Sequence, residues 1–520
     1  MAKTSTTKPM EEQLWDAANK LRGTVESSEY KHVVLGLIFL KFASDKFEQR
    51  RAELLEEGKD KYLEMKEFYN MKNVFFLAPE SRWSHVITHS KQDDIALIID
   101  TALHNIEKNN DSLKGALPDN YFSRLNLDPS KLAALLDTIN NIDTVGDEEE
   151  DVVGRIYEYF LGRFAAAEGK GGGEFYTPKS IVKLIAEMLE PYKGKIYDPC
   201  CGSGGMFVQS IQFVQSHQGS TKDISIYGQE YTAVTYKLAK MNLAIRGISA
   251  NFGDVPADTF FKDQHPDLKA DYIMANPPFN QSQWREKNEL EHDPRWAGFT
   301  TPPTGNANYA WILHMLNKLS ESGTAGFVLA NGSMSSNTSG EGIIRKELIE
   351  KDMVDCMIAL PGQLFYTTQI PVCLWFITKS KEQNADKSFR KRRGETLFID
   401  ARQIGSMMDR TQKELSEEDI AGISNTYHAW RSQADVQNQE KYGYYKDIAG
   451  YCKSASLEEI EKNDYVLTPG RYVGVAEEED DGIHFEDKMS ELTAALKEQM
   501  GQAGQLDADI SENLKVLGYE

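Results

Sequence analysis

The sequence predicts an α/β protein: a doubly wound, mostly parallel sheet with an antiparallel edge hairpin, flanked by helical N- and C-terminal regions. Three observations carry this. Strand and helix patterns alternate from residue 180 to residue 350, as βα units do. A glycine-rich turn, Gly202-Ser203-Gly204-Gly205, follows the first strand pattern and opens a helix. Two β-rich runs, Val354 to Leu360 and Val372 to Thr378, succeed each other with no helical pattern between them, which suits an antiparallel pair at the sheet edge.

Residues 1–150 read as a helical bundle. Leu14, Trp15, Ala18 and Leu21 share one amphipathic face, and Val33, Val34, Leu37, Ile38 and Phe42 share another. The acidic cluster Asp147-Glu148-Glu149-Glu150-Asp151 closes this region as a solvated boundary. An α/β unit over 151–405 follows. Helices are predicted over 180–189, 206–214, 234–246, 309–319 and 343–350, with strands over 195–198, 224–228, 325–329 and one running into Asn276. A later strand, Leu397-Phe398-Ile399, follows the basic run Arg390-Lys391-Arg392-Arg393, which reads as a solvated loop and a candidate phosphate contact. Residues 406–475 form a helical, turn-rich extension ending in Leu467-Thr468-Pro469-Gly470-Arg471-Tyr472. In 476–520, Met489, Leu492, Leu496 and Met500 repeat at helical spacing, a stripe suited to a partner protein.

Composition narrows the function classes. With 520 residues and 40% hydrophobic content, more than one unit with a sizeable core is expected. The five cysteines form no CxxC pair and no zinc-spaced cluster, so reduced thiols in a cytoplasmic protein are expected, without metal. The longest apolar run, Val33 to Leu40, is far short of a membrane span, and the chain start does not resemble a secretion signal. Lys and Arg number 58 against 80 Asp and Glu, a net of −22. A surface this acidic repels a phosphate backbone, so a nucleic-acid substrate would need a partner to supply much of the grip.

The chemistry-bearing residues sit at predicted strand ends. Tyr272-Ile273-Met274-Ala275 is a buried-strand pattern halted by Asn276-Pro277-Pro278-Phe279. The two prolines stiffen the loop and leave one amide and one aromatic ring projecting from it. Those groups suit a flat substrate with an exocyclic amine: the Asn276 oxygen and the Pro277 carbonyl accept its hydrogens while Phe279 stacks on its ring. Alone, the tetrapeptide is more often only a turn. Upstream, Asp198-Pro199-Cys200-Cys201-Gly202-Ser203-Gly204-Gly205 lets backbone approach a nucleotide-like ligand at a helix N-terminus. Glu230 ends the second strand where it can accept ribose hydroxyls, and Asp254 follows the third strand position where it can accept from an adenine amine. No G-x-G-x-x-G and no Walker motif occurs; Gly169-Lys170-Gly171-Gly172-Gly173 follows no strand and reads as a flexible loop. Cys200 and Cys201 are assigned to packing.

In this order, these motifs resemble the class I S-adenosylmethionine-dependent methyltransferases, specifically amino-group DNA methyltransferases with their [DN]-P-P-[YF] loop. Gly173-Glu174-Phe175-Tyr176-Thr177-Pro178-Lys179 resembles the extra motif that helps hold the methionine end of the cofactor in the adenine-N6 branch. The helical start, the chain length and the 467–472 piece are similar to the modification subunit of type I restriction-modification systems. The resemblance implies the methyltransferase fold, S-adenosylmethionine held by Glu174 to Lys179, Asp198, Gly202 to Gly205, Glu230 and Asp254, and transfer to N6 of a flipped adenine at Asn276 to Phe279. It also implies double-stranded DNA, a specificity subunit, a restriction subunit and a second copy of this chain as partners. A protein or RNA amino methyltransferase and a non-catalytic scaffold are the rival readings. The DNA sequence recognised is expected to be encoded in another chain.

Overall fold

In the computed structural model of the chain, the structure describes residues 10–19, 27–142, 144, 154, 156–157, 159–160, 177–365, 370–408, 410, 412–475 and 485–516. Leu21, the acidic cluster 147–151, the 169–173 loop and Glu174, Phe175 and Tyr176 lie outside the described residues. The chain divides into two units, Met1–Gly474 and Val475–Glu520.

The first unit begins with helices α1 (Met10–Asn19), α2 (Ser27–Glu56), α3 (Ile95–Asn109) and α4 (Pro129–Asn140). In α2, Val33, Val34, Leu35, Leu37, Ile38, Phe39 and Leu40 are all fully buried, so this turn-on-turn apolar stretch is the centre of the bundle instead of a one-sided surface helix. Asp128 starts α4 by accepting from the Ser130 and Lys131 N–H groups, with Pro129 in the first turn.

Nine strands among the described residues form the main sheet: β1 (Gly194–Asp198), β2 (Ile224–Gly228), β3 (Ala250–Asn251), β4 (Ala270–Ala275), β5 (Leu319–Ala330), β6 (Val354–Ala359), β7 (Val372–Thr378), β8 (Glu395–Asp400) and β11 (Cys452–Ser456), with β9 (Ser406–Met407) and β10 (Lys413–Glu414) pairing separately. Their order is β11-β8-β6-β7-β5-β4-β1-β2-β3. β3, β2, β1, β4 and β5 run parallel, and the order reverses direction between β1 and β4, the switch point at which open α/β sheets bind ligands. Covering helices are α5 (Lys179–Leu189), α6 (Gly205–Ser216), α7 (Ala233–Ala244), α8 (Asn308–Lys318), α9 (Glu341–Glu350) and α10 (Glu417–Arg431). The α7 helix is shared: Ala239 and Leu243 pack toward β2 and β3, while Leu238 and Met241 join the core of the N-terminal bundle.

The expected β6–β7 pair is antiparallel, and β7 also pairs antiparallel with β5. The sheet continues beyond this pair. β8 adds parallel to β6, and β11, from the segment 406–475 read as an extension, adds antiparallel to β8. Every residue of β6 and β7 is buried, and strands buried on both faces belong inside a sheet. The 467–472 piece packs beneath this outer half, with Tyr472 stacked on Phe398 at 3.8 Å.

The basic run is tied into ion pairs, two of its members inside the fold and two at the surface. Arg390 pairs with Glu395, Arg392 is buried against Asp355 at 2.8 Å, and Lys391 and Arg393 both face Glu382. In the second unit, α11 (Phe485–Val516) carries Met489, Leu492, Leu496 and Met500, each about half exposed or more (47–66%). No described helix is long and apolar enough to cross a membrane.

Candidate active site

Along the carboxyl edge of the sheet, strand order alone sets the sequence motifs side by side: Asn276 after β4, the glycine turn after β1, Glu230 after β2 and Asp254 after β3. Residues separated by up to 78 positions in the chain thereby line one rim, although each was assigned only by its own strand.

The glycine turn is held by backbone. The Asp198 carbonyl accepts from the Gln229 N–H at 3.0 Å, and the Cys201 N–H donates to the Gln229 carbonyl at 2.9 Å, which stitches the ends of β1 and β2 together. Gly202 and Gly204 adopt φ of +53° and +81°, the left-handed region that disfavours a side chain. A Cβ added at Gly202 or Gly205 would meet nothing within 4 Å among the described residues, so these residues leave the rim of the turn open. Glu230 bridges the two loops: one carboxylate oxygen accepts from the Gly202 N–H at 3.1 Å, the other from the Thr232 N–H at 2.8 Å.

Asp198 is fully buried. Its carboxylate accepts from the Cys200 N–H at 3.0 Å, and no cation pairs with it among the described residues. Burial pushes its pKa up to about 7, with the Cys200 bonds opposing and the Glu230 charge adding to the rise. Burial likewise pushes the Cys200 and Cys201 thiols well up, which leaves no thiolate nucleophile and agrees with a packing role. Asp254 is exposed, and its N–H donates to the Gln264 side chain at 3.1 Å.

At the end of β4, the Asn276 amide donates from Nδ2 to Thr177 Oγ1 at 2.9 Å, and its Oδ1 is buried with no hydrogen-bond partner among the described residues. A buried acceptor left unmatched costs about 1–3 kcal/mol, and this oxygen keeps its full capacity to accept a hydrogen bond. Pro277 is buried, and Phe279 stands edge-to-face with Phe365 at 5.7 Å. Thr177, read from the sequence as a cofactor residue, thus touches Asn276. Pro178 is buried at the start of α5, whereas Lys179 is exposed and lines a cleft of about 430 Å³ with residues of α6 and α10.

Several supporting residues escaped the sequence reading. Gln229 is fully buried, donates to the Ala257 and Lys262 carbonyls and accepts from Gln264 N–H, so it folds the Asp254 loop back over β2. Asn242 donates to the Ser203 carbonyl at 2.8 Å, and Phe365 backs Phe279. Asn242 left a faint signal, a polar side chain on the otherwise apolar face formed by Leu238, Ala239 and Leu243; Gln229 and Phe365 left none.

The chain matches the sequence profile of the N-6 DNA Methylase family over residues 148–481 and that of the HsdM N-terminal domain over 10–139. It is 51% identical to the type I restriction enzyme HindI methylase subunit of Haemophilus influenzae over 437 residues, covering 83% of this chain and 94% of that protein. It is 40% identical to the MjaIX methylase subunit of Methanocaldococcus jannaschii, covering 99% and 92%. Among solved structures, the methyltransferase subunit of a type I restriction-modification system from Streptococcus thermophilus superposes with a TM-score of 0.72 at 25% identity, covering 90% of this chain and 99% of that one.

Proposed function

Because this chain belongs to the N-6 DNA methylase family, and is the methylase subunit of a type I restriction system, we propose that it transfers a methyl group from S-adenosylmethionine to adenine N6 at Asn276-Pro277-Pro278-Phe279. One observation carries the assignment of the site: the buried, unmatched Oδ1 of Asn276, fixed in direction by the bond from its own amide to Thr177.

The rim fits the cofactor. Gly202 and Gly205 leave open space for a ligand against the backbone, Glu230 offers a carboxylate to ribose hydroxyls, and Asp198 offers a buried anion to a cationic ligand. Gly204 and Ser203 hold the turn that presents these groups, and the motif Glu174-Phe175-Tyr176-Thr177-Pro178-Lys179 and Asp254 are assigned to the cofactor by the family resemblance, Thr177 with the further support of its bond to Asn276. Bound there, S-adenosylmethionine supplies a sulfonium-activated methyl group. The protein's residues orient the acceptor: Asn276 Oδ1 and the Pro277 carbonyl take the two amine hydrogens, which raises electron density on the nitrogen. Phe279 stacks on the flipped base; stacking of about 1–3 kcal/mol offsets the few kcal/mol needed to unstack it. Rate then comes from orientation and fixed dipoles.

The complex extends beyond this chain. A net charge of −22 leaves much of the DNA grip to a specificity subunit; a restriction subunit and a second copy of this chain complete the assembly in the cytoplasm. The bundle 1–150, catalytic unit 151–405, extension 406–475 and terminal segment 476–520 divide this work. The exposed apolar stripe of α11 is the contact for the specificity chain. Deleting residues after Glu477 weakens co-elution with that chain and spares cofactor binding; normal assembly would refute this use of α11.

The deciding experiment is nucleoside mass spectrometry on DNA incubated with S-adenosylmethionine and this chain co-purified with the specificity subunit encoded beside it. New N6-methyladenine is expected. Cofactor binding without DNA modification would redirect the search to protein, RNA or a scaffold role.

A further inference from the structure

The loop carrying Asn276 leaves β4 and returns to α-helix only at Asn308, the first residue of α8. Its entry is fixed by β4 and by Thr177. Its exit is fixed by a second asparagine pair. Asn280, at φ +51°, donates its N–H to Asn308 Oδ1 at 3.1 Å, and Asn308 Nδ2 donates back to Asn280 Oδ1 at 2.9 Å. Asn306 Nδ2 reaches the same Asn280 oxygen at 3.3 Å, while Asn306 Oδ1 accepts the Asn308 N–H at 2.9 Å. One residue on, the Ala307 N–H donates to the Gln281 carbonyl at 2.9 Å. Asn308 is only 1% exposed, so its amide serves the loop and not solvent.

We infer that Asn308 is a positioning residue for methyl transfer: acting through Asn280, it clamps the exit of the Asn276-Pro277-Pro278-Phe279 loop and thereby sets where the amine acceptors and the stacking ring stand. The inference rests on the assignment of Asn276 proposed above. Two prolines make the loop stiff, so a shift at Asn280 passes back to Pro277 and Asn276 instead of being absorbed. The clamp also joins the two ends of the excursion 281–305, so that movement within the excursion does not reach the acceptors. A misplacement of about 1 Å is enough to lower a rate about 100-fold.

The bond directions give the test its asymmetry. Asn280→Asp keeps an oxygen for the Asn308 and Asn306 amides, whereas Asn308→Asp sets a carboxylate oxygen against Asn280 Oδ1. In the full chain co-purified with its specificity subunit, single-turnover transfer and S-adenosylmethionine affinity are measured together. Asn308→Asp is expected to lower the transfer rate roughly 10- to 100-fold with cofactor affinity unchanged, and Asn280→Asp to retain the wild-type rate within about threefold. Wild-type transfer by Asn308→Asp, even with lowered melting temperature, would overturn the inference, as would an equal loss in Asn280→Asp. Should the buried variant fail to fold, Asn280→Gly decides, because glycine suits the positive φ and removes the side-chain acceptor that Asn308 and Asn306 hold; it must also slow transfer. A wild-type complex inactive on all DNA would instead defeat the underlying assignment.

Discussion

Two aspartates, each fully buried at the sheet, have opposite fates. Asp198, at the end of β1, has no cation beside it among the described residues, and burial pushes its pKa up to about 7. Asp355, in β6, is equally buried, but Arg392 and Lys381 outweigh the burial, Tyr427 donates to it at 2.7 Å, and its pKa falls below the ordinary carboxylate range. The same contrast separates the halves of the sheet. Beyond β5, the buried Asp355 carboxylate is matched by Arg392, Lys381 and Tyr427; among the described residues no cation pairs with Asp198 at the end of β1, and no donor meets the Asn276 oxygen at the end of β4. Burial alone therefore does not mark a site, and neither does a missing partner alone, since Glu341, Arg392 and Arg431 also carry buried atoms without one among the described residues; Asn276 and Asp198 stand out because their unmatched groups sit at strand ends beside the switch point of the sheet.

The largest effect expected is on the matched side. Arg392→Met leaves Asp355 buried without its main partner, and removing one member of such a pair costs about 3–5 kcal/mol. Chemical denaturation reports that loss, while cofactor affinity of the folded fraction stays at the wild-type value; a change in affinity with stability intact would dissolve the contrast. On the unmatched side, Asn276→Ala should lower methyl transfer about 100- to 1000-fold, the range found when one polar group aimed at a reacting centre is removed, with stability and cofactor affinity little changed. Loss of both activity and cofactor binding would mark Asn276 as a structural residue.

These two outcomes also explain what was readable in the sequence. The parallel half was legible because apolar runs bounded by glycine, proline and acids mark strand ends, and strand ends are where this fold places ligands: β2 was predicted over its full observed extent, and Asn276, Glu230 and Asp254 all follow their strands as expected. The outer half was not. β11 is Cys-Lys-Ser-Ala-Ser, a run with no strand-like pattern that becomes a strand only because β8 offers an edge. β5 begins at Leu319, directly after α8, so no turn residue announced it. The contact of Asn276 with Thr177 spans 99 positions, and the Asp355 carboxylate that Arg392 pairs with lies 37 residues away; no local pattern encodes such pairs. Arg390 to Arg393 looked like a basic patch because sequence gives charge without its counter-charge.

A smaller effect is expected at Glu230. Its two oxygens hold the Gly202 and Thr232 N–H groups, and hydrogen bonds to a charged group contribute about 1.5–3 kcal/mol. Glu230→Gln turns one oxygen into a donor facing an N–H, so S-adenosylmethionine affinity measured by calorimetry should weaken by about 10- to 100-fold, with the transfer rate at saturating cofactor much less affected. A fall in that saturated rate as large as the fall in affinity would mean that the turn positions the acceptor side as well.

The smallest effect tests the unmatched anion itself. Because the folded pKa of Asp198 lies at about 7, above the ordinary 3.8, the folded protein holds a proton that the unfolded chain releases between those values. Its contribution to stability is therefore present below about pH 4 and is lost as pH rises toward 7. A cationic ligand reverses the preference, since it favours the ionised carboxylate. The affinity for S-adenosylmethionine should then rise about three- to tenfold between pH 6 and 8, as one carboxylate with a pKa near 7 ionises. Asp198→Asn should bind more weakly at pH 8 and show a flat profile over the same interval. If the mutant kept the wild-type slope, another group would be titrating, and the buried anion of β1 would belong with the matched, structural charges of the outer half.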